Sequence, residues 1–95
     1  MDIKVKLKPR DEDSKKSYKT RINRVIGQLN GINKMFDENR YCGDILTQLS
    51  AAKRAIEELS YLVLQDHIKT CVADELKEGK TEIVDETVSL IRNLK

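Results

Sequence analysis

The chain has 95 residues, 36% of them charged, with three tyrosines, one phenylalanine, no tryptophan, one proline and a formal net charge of +2. That length makes one small domain, marginal in stability unless chains associate, and the composition suits a helical bundle and argues against a β-sandwich. No apolar run approaches the roughly 18 residues of a membrane span and no basic-then-apolar leader opens the chain, so a cytoplasmic protein without a membrane partner is expected.

Residues 1–13 alternate Ile3, Val5 and Leu7 with Lys4, Lys6 and Lys8, then meet Pro9, Arg10 and the acidic run Asp11, Glu12 and Asp13. The alternation has the period of a strand, but the chain offers no second strand to pair with it. The reading is a flexible basic arm over residues 1–13 and a helical domain over residues 14–95. Ser14 or Asp13 is placed to cap a first helix running to about Glu38, in which Tyr18, Ile22, Val25, Leu29, Ile32 and Phe36 recur in steps of four and three. Gly27 and Gly31, one turn apart, weaken that helix but permit the close approach of a neighbouring one.

The short polar connection from Asp37 to Tyr41 makes the next helix an antiparallel neighbour. Between Gly43 and Glu78 there is no proline and no internal glycine, and Ile45, Leu49, Ala52, Ile56, Leu59 and Val63 keep helical spacing, so one long helix is expected. Gly79 suits the position just past its end. A short third helix follows from about Thr81 to Asn93, with Ile83, Val84, Val88 and Ile91 on one side. One hairpin of two helices buries too little alone. The expected fold is therefore all-α, with two hairpins forming a four-helix bundle.

Both cysteines and the only histidine fall at the ends of the long helix. His67 and Cys71 are four residues apart, so they share a face one turn apart and can chelate one ion. Cys42 precedes His67 by 25 residues, which a continuous helix stretches to roughly 37 Å at about 1.5 Å per residue. For all three to serve one site, a second copy of the helix must run antiparallel, giving a dimer with two equivalent sites. A His/Cys pair at this spacing is a weak motif by itself, and free cysteine often only packs. In a reducing cytosol, two cysteines are more readily free thiols, metal ligands or redox sensors than a structural disulfide.

Residues 1–24 hold nine Lys/Arg against four Asp/Glu, residues 25–54 four against three, and residues 55–95 five against nine. Positive charge is thus concentrated in the arm and the first half of helix one, which permits DNA binding without diagnosing it. There is no helix-turn-helix signature, zinc-finger spacing, phosphate-binding glycine loop or pair of catalytic carboxylates. Any DNA contact must come from helix faces and the arm, chiefly to phosphates. With neither an oxyanion hole nor a substrate cleft in view, an enzyme and a small-molecule substrate are not expected.

Three blocks, Arg21 to Ile32 (RINRVIGQLNGI), Tyr41 to Lys53 (YCGDILTQLSAAK) and Asp66 to Cys71 (DHIKTC), together resemble the CsoR/RcnR family of small metal- and stress-sensing repressors over about residues 14–94. The resemblance implies an all-helical homodimer built on an antiparallel four-helix bundle, usually paired into a homotetramer, that represses transcription until an inducer binds. Its sensing positions are occupied here by Cys42, His67 and Cys71, as in the copper(I) sensors of the CsoR branch, with Cys42 supplied by the opposite protomer. Two thiolates and one imidazole also make a soft three-coordinate set that suits copper(I), whereas zinc usually seeks a fourth ligand.

The nickel and cobalt sensors of the family add histidines that this chain lacks, and its formaldehyde sensors carry an acidic residue where Cys71 stands. Its persulfide sensors use the two cysteines without the histidine, which leaves a thiol-redox repressor as the leading alternative, and a copper buffer that does not bind DNA as a further one. The resemblance also implies a tyrosine and a glutamate behind the ligands. Tyr41 matches the first; the second aligns with Glu86 if one residue is deleted near Gly79, and with Thr87 without a gap, Glu86 being favoured. For the operator DNA, the basic residues expected to meet the backbone are Lys15, Lys16, Lys19, Arg21, Arg24, Lys53 and Arg54.

Overall fold

The computed structural model describes residues 6–94, and every regular element among them is helical. α1 spans Glu12–Asp37, α2 Cys42–His67, α3 Ala73–Lys77 and α4 Glu82–Asn93, while a π-helical turn, Ile68–Val72, joins α2 to α3. His67, Ile68, Val72 and Ala73 all keep right-handed helical dihedrals, so α2, the π turn and α3 form one unbroken rod. Three rods therefore stand where three helices were expected.

The cap of α1 corrects the sequence reading. Asp11, not Ser14 or Asp13, is the N-cap: its backbone is extended and its Oδ1 accepts from the Ser14 backbone N–H at 2.7 Å. Glu12 and Asp13 then belong to the first turn of α1, not to the arm, where carboxylates favour the positive end of the helix dipole. Both interhelical turns use left-handed residues. Asn39, at φ 54°, follows the last turn of α1, and Gly79, at φ 77°, follows α3. In each turn a later N–H reaches back to an otherwise orphaned carbonyl, Arg40 to Met35 and Lys80 to Glu75, both at 2.9 Å.

α1 and α2 pack antiparallel around Val25 and Ile32 on one side and Ile45 and Ala52 on the other, with Met35 against them. The apolar row expected on α1 divides in two. Val25 and Ile32 face α2, whereas Ile22, Leu29 and Phe36 remain 43–59% exposed. α2 shows the same division: Ile45 and Ala52 are buried, while Leu49, Ile56 and Val63 stay 38–47% exposed. Each helix thus carries two stripes of seven-residue spacing, and only one of them is satisfied within the chain. A Cβ added at Gly27 or Gly31 meets nothing within 4 Å, so no neighbour within this chain makes the close approach expected there.

The exposed surface is 8071 Å², against about 5,600 Å² for a compact monomer of this mass. The radius of gyration is 17.6 Å, against about 12 Å for a compact globule of this length. An elongated hairpin with an uncovered apolar face is a shape that gains stability by association.

Candidate metal centre

The three sequence-derived donors divide between the two ends of the rod. Cys42 is the first residue of α2 and is exposed; His67 is its last, and Cys71, half-buried, lies in the π turn. His67 and Cys71 line one cavity of about 500 Å³, whose apolar walls include Ile56, Leu59, Val63 and Leu90. Among the described residues, no group of three or more His, Cys, Asp or Glu side chains is close enough to hold an ion. The chain brings together two donors of the three, and the helix length separates the third.

The π turn is the feature that the spacing of residues did not reveal. Thr70 Oγ1 donates to the Asp66 carbonyl at 2.8 Å, a bond back to the preceding turn that competes with the α-helical ladder. The backbone at this point pairs across five residues, as in Ala73 N–H to the Ile68 carbonyl. Widened single turns of this kind recur where a helix must aim a functional side chain. Cys71 lies within it.

The described part of the basic arm lies against this turn; Ile3, Lys4 and Val5 lie outside the described residues. Lys8 Nζ donates to Asp66 Oδ2 at 2.8 Å and to Thr70 Oγ1, Arg10 Nε stands 3.8 Å from the same carboxylate, and Lys6 Nζ stands 3.9 Å from Glu86. Asp66 and Thr70 immediately precede His67 and Cys71. Lys8 and Arg10 accordingly form part of the wall of the donor cavity.

Glu86, favoured as the partner of His67, is not in contact with it. Its side chain is half exposed and faces Lys6. The residue against His67 is Thr87, 6% exposed, whose Oγ1 lies 3.1 Å from Nε2. The physical reason is the helical period: Ile83, Thr87 and Ile91 form an i, i+4, i+8 row facing inward, and Glu86 is turned about 100° away. That row, read alone, would have identified Thr87. Tyr41 precedes α2 as its N-cap residue and is 71% exposed, with its ring over Gly43 so closely that a Cβ there would collide with it. Within the chain it touches neither His67 nor Cys71.

The basic residues lie on the outer faces. Lys16, Arg21 and Arg24 line one shallow groove with Ser17 and Thr20, while Lys15 and Lys19 border a second around Lys16. Lys15 also faces Glu12 at 3.5 Å. Lys53 and Arg54 lie on α2, exposed, roughly level with Arg24 in the antiparallel pair. No helix among the described residues is long and apolar enough to cross a membrane.

The description "metal-sensitive transcriptional repressor" belongs to the family whose sequence profile matches residues 14–93. The chain is 38% identical to the copper-sensing transcriptional repressor CsoR of Bacillus subtilis over 80% of its length and 75% of that protein's. It is 40% identical to the copper-sensing transcriptional repressor RicR of Mycobacterium tuberculosis over 68% of each chain. Among solved structures it resembles the copper-sensing repressor CsoR with Cu(I) from Geobacillus thermodenitrificans, with a TM-score of 0.87, 34% identity and 92% of each chain covered. The nickel-responsive transcriptional regulator InrS is also similar, with a TM-score of 0.77, 26% identity, and 90% of this chain and 98% of that one covered.

Proposed function

The chain belongs to the metal-sensitive transcriptional repressor family, and from that premise we propose that it is a copper(I)-responsive repressor. It acts as a homodimer, or a dimer of dimers, that holds operator DNA until copper(I) occupies a site made by His67 and Cys71 of one protomer and Cys42 of the other. It is a regulator and not an enzyme, and its place is the cytoplasm, where the DNA is.

One observation carries this reading. A twofold axis that brings Cys42 beside the midpoint of His67 and Cys71 must cross α2 near residues 55 and 56. The unsatisfied outward stripe of α2, Leu49, Ile56 and Val63, is centred on Ile56. Donor positions and apolar surface are independent features, yet they call for the same antiparallel register. That register sets Leu49 against the partner copy's Val63 stripe and buries Ile56 on itself.

The chemistry of the donors supports copper(I). Two thiolates and an imidazole suit a soft ion that accepts three ligands, and a chain with a single histidine cannot build a nitrogen-rich site for nickel. In the metal-free dimer Lys15, Lys16, Lys19, Arg21, Arg24, Lys53 and Arg54 serve the DNA backbone. A metal that joins the two long rods selects the arrangement that binds DNA less well. A ~100-fold loss of DNA affinity requires only about 2.7 kcal/mol of coupling, within the usual allosteric range.

The test is an anaerobic copper(I) titration of the reduced protein bound to a labelled fragment of its own upstream DNA. Release at one copper(I) per chain, lost in Cys42→Ala and His67→Ala, is the expected result. Release by a persulfide donor with copper inert would move the inducer to a thiol reaction, and no binding of metal-free protein to that DNA would favour a copper buffer.

A further inference from the structure

Thr87 is the only buried polar residue among those described, and it sits at the centre of the inward face of α4. Its hydroxyl stands 3.1 Å from Nε2 of His67, twenty residues away in sequence and on a separate rod. We propose that Thr87 is a positioning residue for the metal centre: it accepts the Nε2–H of His67, so that Nδ1 presents its lone pair to the metal, and it ties α4 to the occupancy of the site. This rests on the reading of His67 as a metal ligand.

The argument is one of donors and acceptors. A neutral imidazole has one N–H and one free lone pair, and the partner of one nitrogen decides which role falls to the other. If the hydroxyl donated to Nε2, the proton would sit on Nδ1 and the ring would have no lone pair left for an ion. Only acceptance by Thr87 Oγ1 keeps both the tie and a free nitrogen. Charge points the same way. Copper(I) with two thiolates carries a net negative charge, and a carboxylate buried at this position would add a second; the neutral hydroxyl adds none.

The tie also has a place to act. α4 meets the rest of the chain at the end of α2 and at the π turn, where His67 and Cys71 lie. Fixing the ring by its metal therefore fixes the helix that the ring holds. Without the hydroxyl, the metal still binds but α4 no longer registers it.

His67 is the sole histidine, so its ring gives a single set of ¹⁵N signals. In the reduced, metal-free protein, NMR should show a ring N–H on Nε2 protected from exchange, lost to exchange in Thr87→Val and restored in Thr87→Ser. With copper(I), Thr87→Val should still bind one ion per chain, while the copper-induced drop in DNA affinity shrinks by about fivefold, the effect of one neutral hydrogen bond, and Thr87→Ser recovers it. A ring proton on Nδ1 in the unaltered protein, or a Thr87→Val protein with the same protected Nε2–H and the same copper response, would overturn the assignment. Failure of the unaltered protein to release DNA would count against the repressor reading alone, since the ring N–H is read without DNA or metal.

Discussion

Ile56 offers a quantitative test of the dimer register. In the single chain it is 47% exposed, and full burial of an isoleucine side chain stabilises by about 1.5–3 kcal/mol. Covering the remaining half is then worth about 1 kcal/mol per copy and about 2 kcal/mol per dimer, because both copies meet at the axis. Ile56→Ala should raise the dimer dissociation constant about 30-fold. Ile56→Lys should do far more, since it sets two ammonium groups near one axis in an otherwise apolar seam. Glu58→Lys, about 200° around the same helix, should leave dimerisation unchanged. Sedimentation equilibrium of the reduced, metal-free proteins reads all three. If Ile56→Lys dimerised as tightly as the unaltered chain, the twofold axis would not cross α2 at Ile56 and the shared-site geometry would fail with it.

Other residues give independent checks. Ala52 is 2% exposed against α1, so Ala52→Leu overpacks the α1–α2 contact and should lower stability by about 1–3 kcal/mol in denaturant titration. The Ser14 backbone N–H holds the Asp11 carboxyl below its usual value of 3.8. A carboxylate depressed on folding stabilises at pH values above its ordinary range and loses that contribution as pH falls through the folded value. Asp11→Ala should therefore lower the melting temperature at neutral pH, and the difference from the unaltered chain should vanish in acid, below about pH 3.8. Arg21 and Arg24 line one groove; if they meet phosphates, Arg24→Gln should weaken metal-free DNA binding and flatten the log–log salt slope by about one unit.

The long helix was legible because nothing in residues 44–78 breaks it and its apolar residues keep one period. The separation of Cys42 from the His67/Cys71 pair followed from that length alone. The π turn was not legible, because it depends on a threonine hydroxyl capturing a carbonyl, a contact that any Thr in a helix can make and few turn into a wider turn. The cap of α1 was misplaced by two or three residues because Asp11, Asp13 and Ser14 are all good caps; backbone dihedrals choose between them. Glu86 was preferred to Thr87 on the chemistry expected from a family resemblance, while the apolar row Ile83–Thr87–Ile91 pointed to the threonine. Neighbours distant in the sequence, such as Lys8 with Asp66, carry no local signature.

The claim that one site draws on two chains is tested most directly by complementation. Cys42→Ala and the double variant His67→Ala/Cys71→Ala are each expected to bind no copper(I) at the sensing site. A mixed dimer of the two regains one intact site, built from the His67 and Cys71 of the first and the Cys42 of the second, while its other site has lost all three ligands. Anaerobic copper(I) titration of the equilibrated mixture against a competing chelator should therefore recover tight binding that neither variant shows alone, at one ion per mixed dimer. A mixture that binds no better than its components would contradict the shared site and the antiparallel register on which the account rests.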